Sequence, residues 1–314
     1  MIKVLEGKVA IVTGSGQGIG RCIAIDFAKN GAKVITNNRK PGFSINAFEK
    51  TELDFTEEEK EELLKFSGDA KSTADEIVAM GGEAVPVFGD VSVKEDAKKL
   101  VDTAIEKWGR VDIIVNNASS NWVGNLTDMS TEIWEIQISS KLSGSYYLMH
   151  YAIPYMIKQG YGRIFNSASD AFVGLSGYAA YGAGNGGVVT LTKAAALELE
   201  PFGITVNGYT PLARTRSWFN ARTNYRIQGI PVDIVEANAP EAMKRTAEGM
   251  VPFISYLASE KGAKISGKLF KLAASGEIGV WSEPTVVKEM IQEDGVWTIE
   301  ELEARLEKDL MGEK

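Results

Sequence analysis

Cysteine and histidine are almost absent from this chain, whose 314 residues include only Cys22 and His150. A single cysteine excludes a disulfide within the chain, and these counts argue against a Cys/His metal site or a histidine-centred catalytic triad. No apolar run reaches the roughly 18 residues of a membrane-spanning helix. The first residues, MIKVLEGKVAIVTG, run into a predicted strand and do not resemble a signal peptide. The default expectation is a cytoplasmic protein with no metal centre and no membrane partner.

Basic residues are outnumbered by acidic ones. The chain has 34 Lys and Arg against 42 Asp and Glu, a net charge of −8 and a pI near 5.0. This balance argues against nucleic acid or an anionic membrane as a partner. The hydrophobic fraction of 44% and the charged fraction of 24% are typical of a globular protein long enough to bury an extensive core.

Short apolar runs rich in β-branched residues alternate with helical patterns along most of the chain. Alternation of this kind predicts an α/β fold, a single Rossmann-type doubly wound parallel sheet with helices on both faces. The predicted strands are residues 8–14, 32–38, 84–92, 111–119, 162–169, 204–211 and 267–275.

An insertion of about residues 40–70 interrupts this alternation after the second strand. Within it Thr56 and Glu59 have the spacing of a capping box, which predicts a short acidic helix over 57–66. A solvated surface helix is the favoured interpretation, and a lid or subunit contact is the alternative.

The tail, about residues 276–314, repeats that pattern with Thr298 and Glu301 at the cap of an amphipathic helix. We expect the tail to pack on the domain or on a neighbouring subunit. With no internal repeat or linker evident, the sequence predicts one domain over 1–314.

Between the first strand and the first helix lies a glycine-rich loop, TGSGQGIG, at residues 13–20. Glycines permit a tight turn and let backbone N–H groups approach a pyrophosphate at the positive end of a helix. The candidate cofactor residues in this loop are Gly14, Gly16, Gln17, Gly18, Ile19 and Gly20.

Together with GDVS at 89–92, NNAS at 116–119 and a Ser/Tyr pair, this loop resembles the short-chain dehydrogenase/reductase family over roughly residues 5–275. The phrase LARTR and the tail phrases GEIGVWSEP and GVWTIEEL are most similar to bacterial relatives of the dehydrogenase part of peroxisomal multifunctional enzyme type 2. Enzymes of that kind act on 3-hydroxyacyl-CoA. The resemblance implies hydride transfer between NAD(P)(H) and a secondary alcohol or ketone, in a homo-dimer or tetramer.

The residues that end the second strand favour NADP(H). An acidic residue there would bind the adenosine ribose diol and repel a 2′-phosphate. This chain has Asn38, which cannot repel, and Arg39, which suits bidentate phosphate contact. NAD(H) stays the alternative, in which Arg39 and Lys40 only begin a solvated loop.

The resemblance implies the other cofactor contacts. Asp90 and Val91 line the adenine in the family. Farther along the cofactor the family has three residues, which here are Asn117, Ala118 and, in place of the usual glycine, Ser119. Pro211 begins the segment that contacts the nicotinamide carboxamide, and Thr215 matches the contacting threonine.

Tyr181, in YAAYGAGNGG at 178–187, is the candidate general acid/base. By resemblance it exchanges the substrate proton while Ser169 holds the substrate oxygen, with Ser167 as the alternative. A phenol ordinarily titrates near 10, so a nearby positive charge must favour its ionised form. The family takes that charge from a lysine four residues later, where this chain has Asn185.

A lysine stands instead on the preceding helical segment, SSKLSG. Aligned on Gly144, Lys141 occupies the family's asparagine position, and the resemblance places these two positions face to face. We therefore expect Lys141 to lower the pKa of Tyr181 and Asn185 to hold the ribose or a water. The alternative is a catalytically weak or inactive nucleotide-binding partner subunit of a heteromeric dehydrogenase, in which Lys141 is a surface lysine.

Residues 211–226, PLARTRSWFNARTNYR, form what we call the arginine segment. Arginines at 214, 216, 222 and 226 interleave there with aromatic residues, although the protein as a whole is acidic. A charged or CoA-linked ketone or alcohol would suit Arg214, Arg216 and Trp218. A lid, an oligomer face or a neutral cyclic ketone as substrate are the alternatives.

Overall fold

The structure is a computed structural model that describes residues 3–42, 56–64, 66–219, 222, 231, 233, 237, 239–292 and 296–311. Part of the predicted insertion and Arg226 of the arginine segment lie outside these residues. Within the described part of the chain, no helix is both long enough and apolar enough to span a membrane.

One eight-stranded sheet organises the described residues, with the strand order β3-β2-β1-β4-β5-β6-β7-β8. Seven strands are parallel, and β8 pairs antiparallel with β7. The strands are β1 (Val9–Val12), β2 (Lys33–Asn38), β3 (Ala84–Phe88), β4 (Ile113–Asn116), β5 (Gly162–Ser167), β6 (Ile204–Leu212), β7 (Leu269–Ala273) and β8 (Ile278–Val280).

Helices connect the parallel strands, and a five-residue π-helical turn, Ser139–Ser143, joins two of them. The helices are α1 (Gly18–Lys29), α2 (Glu57–Leu64), α3 (Ala70–Ala79), α4 (Lys94–Trp108), α5 (Thr131–Ile138), α6 (Gly144–Gln159), α7 (Ala179–Leu199), α8 (Val251–Ala258) and α9 (Ile299–Leu306). The predicted doubly wound α/β fold is therefore confirmed.

The core lies on both faces of the sheet because successive residues of each strand point to opposite sides. In β1, Ala10 and Val12 pack with α1 and α8, whereas Val9 and Ile11 pack with α4, α6 and α7. Burial on both faces explains why the central strands read as continuous apolar runs in the sequence. Pro86 is tolerated in β3 because that strand is at the edge of the sheet.

The inserted helix α2 ends two residues earlier than predicted but has the predicted cap. The Glu59 N–H donates to Thr56 Oγ1 over 3.2 Å, and the Thr56 N–H donates to Glu59 Oε2 over 2.9 Å. The favoured interpretation of a solvated surface helix is wrong for one of its faces, since Glu59 and Leu63 are buried. Two inward residues in eight are too few to stand out in a sequence pattern.

The chain divides into two compact units, Met1–Val280 and Trp281–Lys314. The sheet belongs to the first unit. The second carries α9, which begins with the predicted reciprocal cap: the Glu301 N–H donates to Thr298 Oγ1 over 3.2 Å, and the Thr298 N–H donates to Glu301 Oε2 over 2.9 Å.

Candidate active site

The glycine-rich loop leads from the carboxyl end of β1 into α1. Gly14 and Gly18 have φ angles of 63° and 55°, a left-handed conformation that favours glycine. Gly20 has no room for a side chain, because a Cβ there would lie 2.5 Å from the Gly14 carbonyl oxygen. The loop is thus tightly folded at the amino end of a helix, where backbone N–H groups can receive a phosphate.

Thr13 fastens this loop to the neighbouring strand β4. Its hydroxyl accepts hydrogen bonds from the N–H groups of Asn117 and Ala118, each over 3.0 Å. The Asn117 side-chain amide in turn donates to the carbonyl oxygens of Thr13 and Gly14. These contacts join the ends of β1 and β4 at the carboxyl edge of the sheet. The strand order reverses between these two strands, and open α/β sheets bind ligands at such a switch point.

A cavity of about 400 Å³ opens at this switch point. Every predicted cofactor residue lines it except two: Gly20 packs inside the loop, and Pro211 remains within strand β6. The volume falls within the range of small-molecule and cofactor sites. The glycine loop at one wall and the polar side chains along the others fit a dinucleotide.

At the end of β2 the structure gives Asn38 a role that the sequence did not reveal. Its Oδ1 accepts a hydrogen bond from the Ala70 N–H over 2.6 Å, so it fastens the start of α3. Beside it the Arg39 Nε lies 3.0 Å from Asp90 Oδ2 across the cavity wall. No acidic residue of β2 lies here, and the Asp90 carboxylate at this wall is paired with Arg39.

Tyr181 lies near the beginning of α7 and is partly buried. Burial raises the pKa of its phenol, and hydrogen bonds with the side chains of Ser169, Asn185 and Ser119 act in the opposite direction. Ser169 therefore lies with Tyr181, whereas Ser167 is buried on β5 opposite Tyr209 of β6. Ser119 also lines the cavity, so it links the tyrosine to the cofactor wall.

Lys141 is in the π-helical turn and is only 3% exposed. Its neighbour Ser140 lines the cavity, and π-turns of this kind often occur at functional sites. Burial lowers the pKa of Lys141 from 10.5 to about 7. Lys141 faces α7, because a Cβ built at Gly184 would lie 3.5 Å from the Lys141 Cβ.

Asn185 follows Gly184 on the same helix and is fully buried. Its side-chain nitrogen donates to the Tyr181 carbonyl oxygen over 2.7 Å. Its Oδ1 has no hydrogen-bond partner among the residues that the structure describes. A buried acceptor of this kind is costly unless a bound group or water donates to it.

The arginine segment is more strongly neutralised than its sequence suggests. Arg214 pairs with Glu62 of the inserted helix, and Arg222 lies 3.5 Å from Glu59 of that helix. Arg216 lines the cavity beside Thr215, and burial lowers the pKa of its guanidinium. Trp218 is buried and does not line the cavity.

Metal ligands are not grouped at this site. Throughout the described ranges, no three His, Cys, Asp or Glu side chains are close enough together to hold an ion.

Similarity to known proteins covers most of the chain. The family model described as short chain dehydrogenase matches residues 8–59 and 64–224. Peroxisomal multifunctional enzyme type 2 of Mus musculus is 32% identical over 279 residues, which are 87% of this chain and 32% of that enzyme. The chain thus spans about a third of the length of that relative. The predicted resemblance to its dehydrogenase part is confirmed.

A bacterial relative and a solved structure show the same likeness. The (2S)-[(R)-hydroxy(phenyl)methyl]succinyl-CoA dehydrogenase subunit BbsD of Thauera aromatica is 33% identical over 215 residues, 68% of this chain and 76% of that subunit. The crystal structure of a short chain dehydrogenase from Mycobacterium avium superposes with a TM-score of 0.77 at 31% identity, covering 99% of this chain and 97% of that one.

Proposed function

The chain belongs to the short-chain dehydrogenase/reductase family, whose members are NAD(P)-dependent oxidoreductases, and on this premise we propose that it interconverts a secondary alcohol and a ketone with NADP(H). The observation that carries the proposal is the position of Ser119. This residue lines the dinucleotide cavity and also hydrogen-bonds the Tyr181 side chain. The candidate acid therefore borders the cofactor site.

Tyr181 is the general acid/base in this proposal. A bound nicotinamide would supply or accept the hydride. Tyr181 then gives its proton to the ketone oxygen in reduction and takes it back in oxidation, while the Ser169 hydroxyl holds the same oxygen. The proximity of the two hydroxyls supports these roles.

Lys141 activates the tyrosine in this proposal. Since burial raises the pKa of Tyr181, ionisation of the phenol requires a compensating charge. Lys141, buried on the segment that faces α7, is the cation offered by the geometry. The orphaned Asn185 Oδ1 would accept a hydrogen bond from the nicotinamide ribose or a water. Such a bond would satisfy this buried oxygen, which lacks a hydrogen-bond partner among the residues that the structure describes.

For the cofactor we propose a preference for NADP(H) over NAD(H). Support comes from Arg39, which lines the cavity at the end of β2, and from Asn38, which brings no negative charge there. The Asp90 carboxylate beside Arg39 acts against this preference, because it shares the guanidinium that would bind a 2′-phosphate.

For the substrate we propose a 3-hydroxyacyl or 3-oxoacyl thioester of CoA. The Thauera aromatica relative is named as a dehydrogenase subunit for a hydroxy-substituted succinyl-CoA, and Arg216 of this chain lines the cavity. The glutamate partners of Arg214 and Arg222 reduce the positive charge available to CoA phosphates. Arg216 is therefore the arginine on which this proposal depends.

Two titrations and one substrate panel test the proposal. Fluorescence titration should show NADPH binding at least several-fold more tightly than NADH, and a clear NADH preference would contradict the role of Arg39.

With both cofactors, 3-oxoacyl-CoA compounds should turn over faster than the matching free ketones. Equal rates, or activity on cyclic ketones only, would remove the CoA ester. Inactivity on every ketone together with tight nucleotide binding would favour the partner subunit. Light scattering would test the proposed homo-dimer or tetramer.

A further inference from the structure

The inserted helix α2 and the arginine segment are joined by two ion pairs. Glu62 pairs with Arg214, and Glu59 lies 3.5 Å from Arg222. Glu59 is only 5% exposed, so its pair is little screened by solvent. Both glutamates project from one side of α2, as residues three apart on a helix do. Glu57 and Glu61 of the same helix are exposed.

An apolar cluster reinforces these pairs. Leu63 of α2 and Phe219 of the arginine segment are buried against each other, and Phe66 packs beside them. The rings of Phe66 and Phe219 have centroids 5.8 Å apart. The guanidinium carbons of Arg214 and Arg222 lie 5.5 and 5.8 Å from the centre of the Phe219 ring, within reach of a cation–π contact. Phe219 is thus held by the same two arginines that pair with α2.

These contacts fix the position of one wall of the cavity. The arginine segment places Thr215, Arg216 and Ser217 along that wall, and Phe66 lines it from the insertion side. The insertion is itself anchored to the glycine loop, because a Cβ at Gly16 would lie 2.8 Å from the Asp69 Cα. In α3, which directly follows the insertion, the Thr73 hydroxyl donates to the Ser15 carbonyl oxygen over 2.9 Å. The insertion therefore connects the loop on one side of the cavity with the arginine segment on the other.

We propose that Glu59 and Glu62 are positioning residues, which hold residues 214–219 of the arginine segment against the bound cofactor and slow its release. This inference rests on the proposed cofactor site and adds a role for the insertion. Neither glutamate lines the cavity. Glu62 acts through Arg214, which directly precedes the lining residues 215–217, and Glu59 acts through Arg222, which contacts the Phe219 ring. Without the two charges the segment opens more readily, because the arginines lose the partners that fix their side chains.

The test compares Glu59→Gln, Glu62→Gln and the double variant with Glu61→Gln, which removes the same charge from the exposed face of α2. Glutamine at 59 keeps the oxygen that caps the helix, so the change removes charge and spares the capping box. Stopped-flow displacement of NADPH should show release about tenfold faster in the double variant, a change equivalent to about 1.4 kcal/mol. The Glu61→Gln protein should release NADPH at the wild-type rate.

A charge swap tests whether the pair itself matters. Glu62→Arg and Arg214→Glu should each speed release, and the protein carrying both should return toward the wild-type rate, as expected of two residues that interact directly. Equal release rates in wild type, the glutamine variants and the two single charge reversals, in proteins that bind NADPH, would overturn the proposal.

Amide hydrogen exchange of residues 214–219 provides a second readout that needs no cofactor. Exchange there should be faster in the double variant than in Glu61→Gln, with no difference in β5 and β6 that would signal general unfolding. Unchanged exchange would refute the positioning role even in a protein that bound no nucleotide. If the wild-type protein bound neither NADPH nor NADH but exchange were still faster in the double variant, the proposed function would be refuted. The positioning of residues 214–219 by the two glutamates would still be supported.

Discussion

Replacement of Lys141 by methionine should stabilise the protein and reduce its activity. Methionine has a similar length and flexibility and no charge. Lys141 is 3% exposed, and burial is the cause of its lowered pKa. A lysine whose pKa is lowered by burial destabilises the folded state whenever its side chain is protonated.

The size of this effect follows from the pKa. Burial lowers the pKa from 10.5 to about 7, and each pKa unit corresponds to about 1.4 kcal/mol. The buried ammonium therefore destabilises the folded state by at most roughly 5 kcal/mol. Relaxation of the interior and penetration of water reduce such penalties, so we expect a gain of about 2 to 4 kcal/mol at pH 7. The catalytic loss should be large, because Tyr181 would have no cation to favour its ionised form.

The sign of the pH dependence is fixed by the direction of this pKa shift. Below about pH 7 the lysine is protonated in the folded and the unfolded chain, and the penalty is fully present. Between about 7 and 10.5 the folded chain has lost the proton and the unfolded chain retains it, so stability of the wild type rises with pH. The advantage of the methionine variant should therefore shrink by about 1.4 kcal/mol per pH unit above pH 7 until it has disappeared.

Urea denaturation of the cofactor-free proteins at several pH values measures this directly. Lys158→Met is the matched control, since Lys158 is exposed near the end of α6, and its stability should change by about 0.5 kcal/mol or less. A Lys141→Met protein no more stable than wild type at pH 7, with a parallel pH profile, would refute the reasoning. Such a result would mean that the folded chain stabilises the ammonium as strongly as water does in the unfolded chain.

Two further predictions concern the exchanged pair and the glycine loop. The double change Lys141→Asn with Asn185→Lys should recover more activity than the sum of the single changes allows, because the two residues share one network; additive losses in kcat/KM would show that they act separately. Gly20→Ala should destabilise the fold by about 1 to 3 kcal/mol and weaken dinucleotide binding, since the new Cβ would lie 2.5 Å from the Gly14 carbonyl oxygen. Gly186→Ala is the control, because nothing lies within 4 Å of the added Cβ, and it should stabilise the fold by up to about 1 kcal/mol. Equal denaturation midpoints for the two alanine variants would contradict the steric argument.

The parallel sheet could be predicted because its strands are buried on both faces and therefore form continuous apolar runs. Strand β8 could not. It has only three residues, Ile278–Val280, with a glycine in the middle and exposed side chains at both ends. Such a segment has no period from which a strand can be inferred. It becomes a strand only because a turn brings it back antiparallel to β7, with Leu272 opposite Ile278.

Most residues that line the cavity could be predicted for a related reason: the glycine loop and its neighbours depend on local backbone geometry, which a motif encodes. The partners of the arginines depend on long-range packing instead. Arg214 and Glu62 are 152 residues apart in the chain. The sequence shows an acidic helix and a basic segment, but nothing local shows that they meet. The pairing of Arg214 with Glu62 therefore cannot be read from the sequence, which also favours a more solvated insertion than the structure shows.

In the proposed mechanism, a buried lysine that acts on the tyrosine also changes what a pH–rate profile of this enzyme would report. A neutral phenol with a neutral amine carries the same total charge as a phenolate with an ammonium, so a pair of this kind can redistribute its proton without changing the net charge of the site. The pKa of Lys141 is lowered to about 7 while that of Tyr181 is raised, and burial is the leading cause for both. In the proposed mechanism the two groups lie in one buried network and titrate as a unit, so the observed limbs belong to the pair. In Lys141→Met the limb of the pH–rate profile that reports ionisation of Tyr181 should move to higher pH, because removal of the amine leaves a phenol whose pKa is raised by burial.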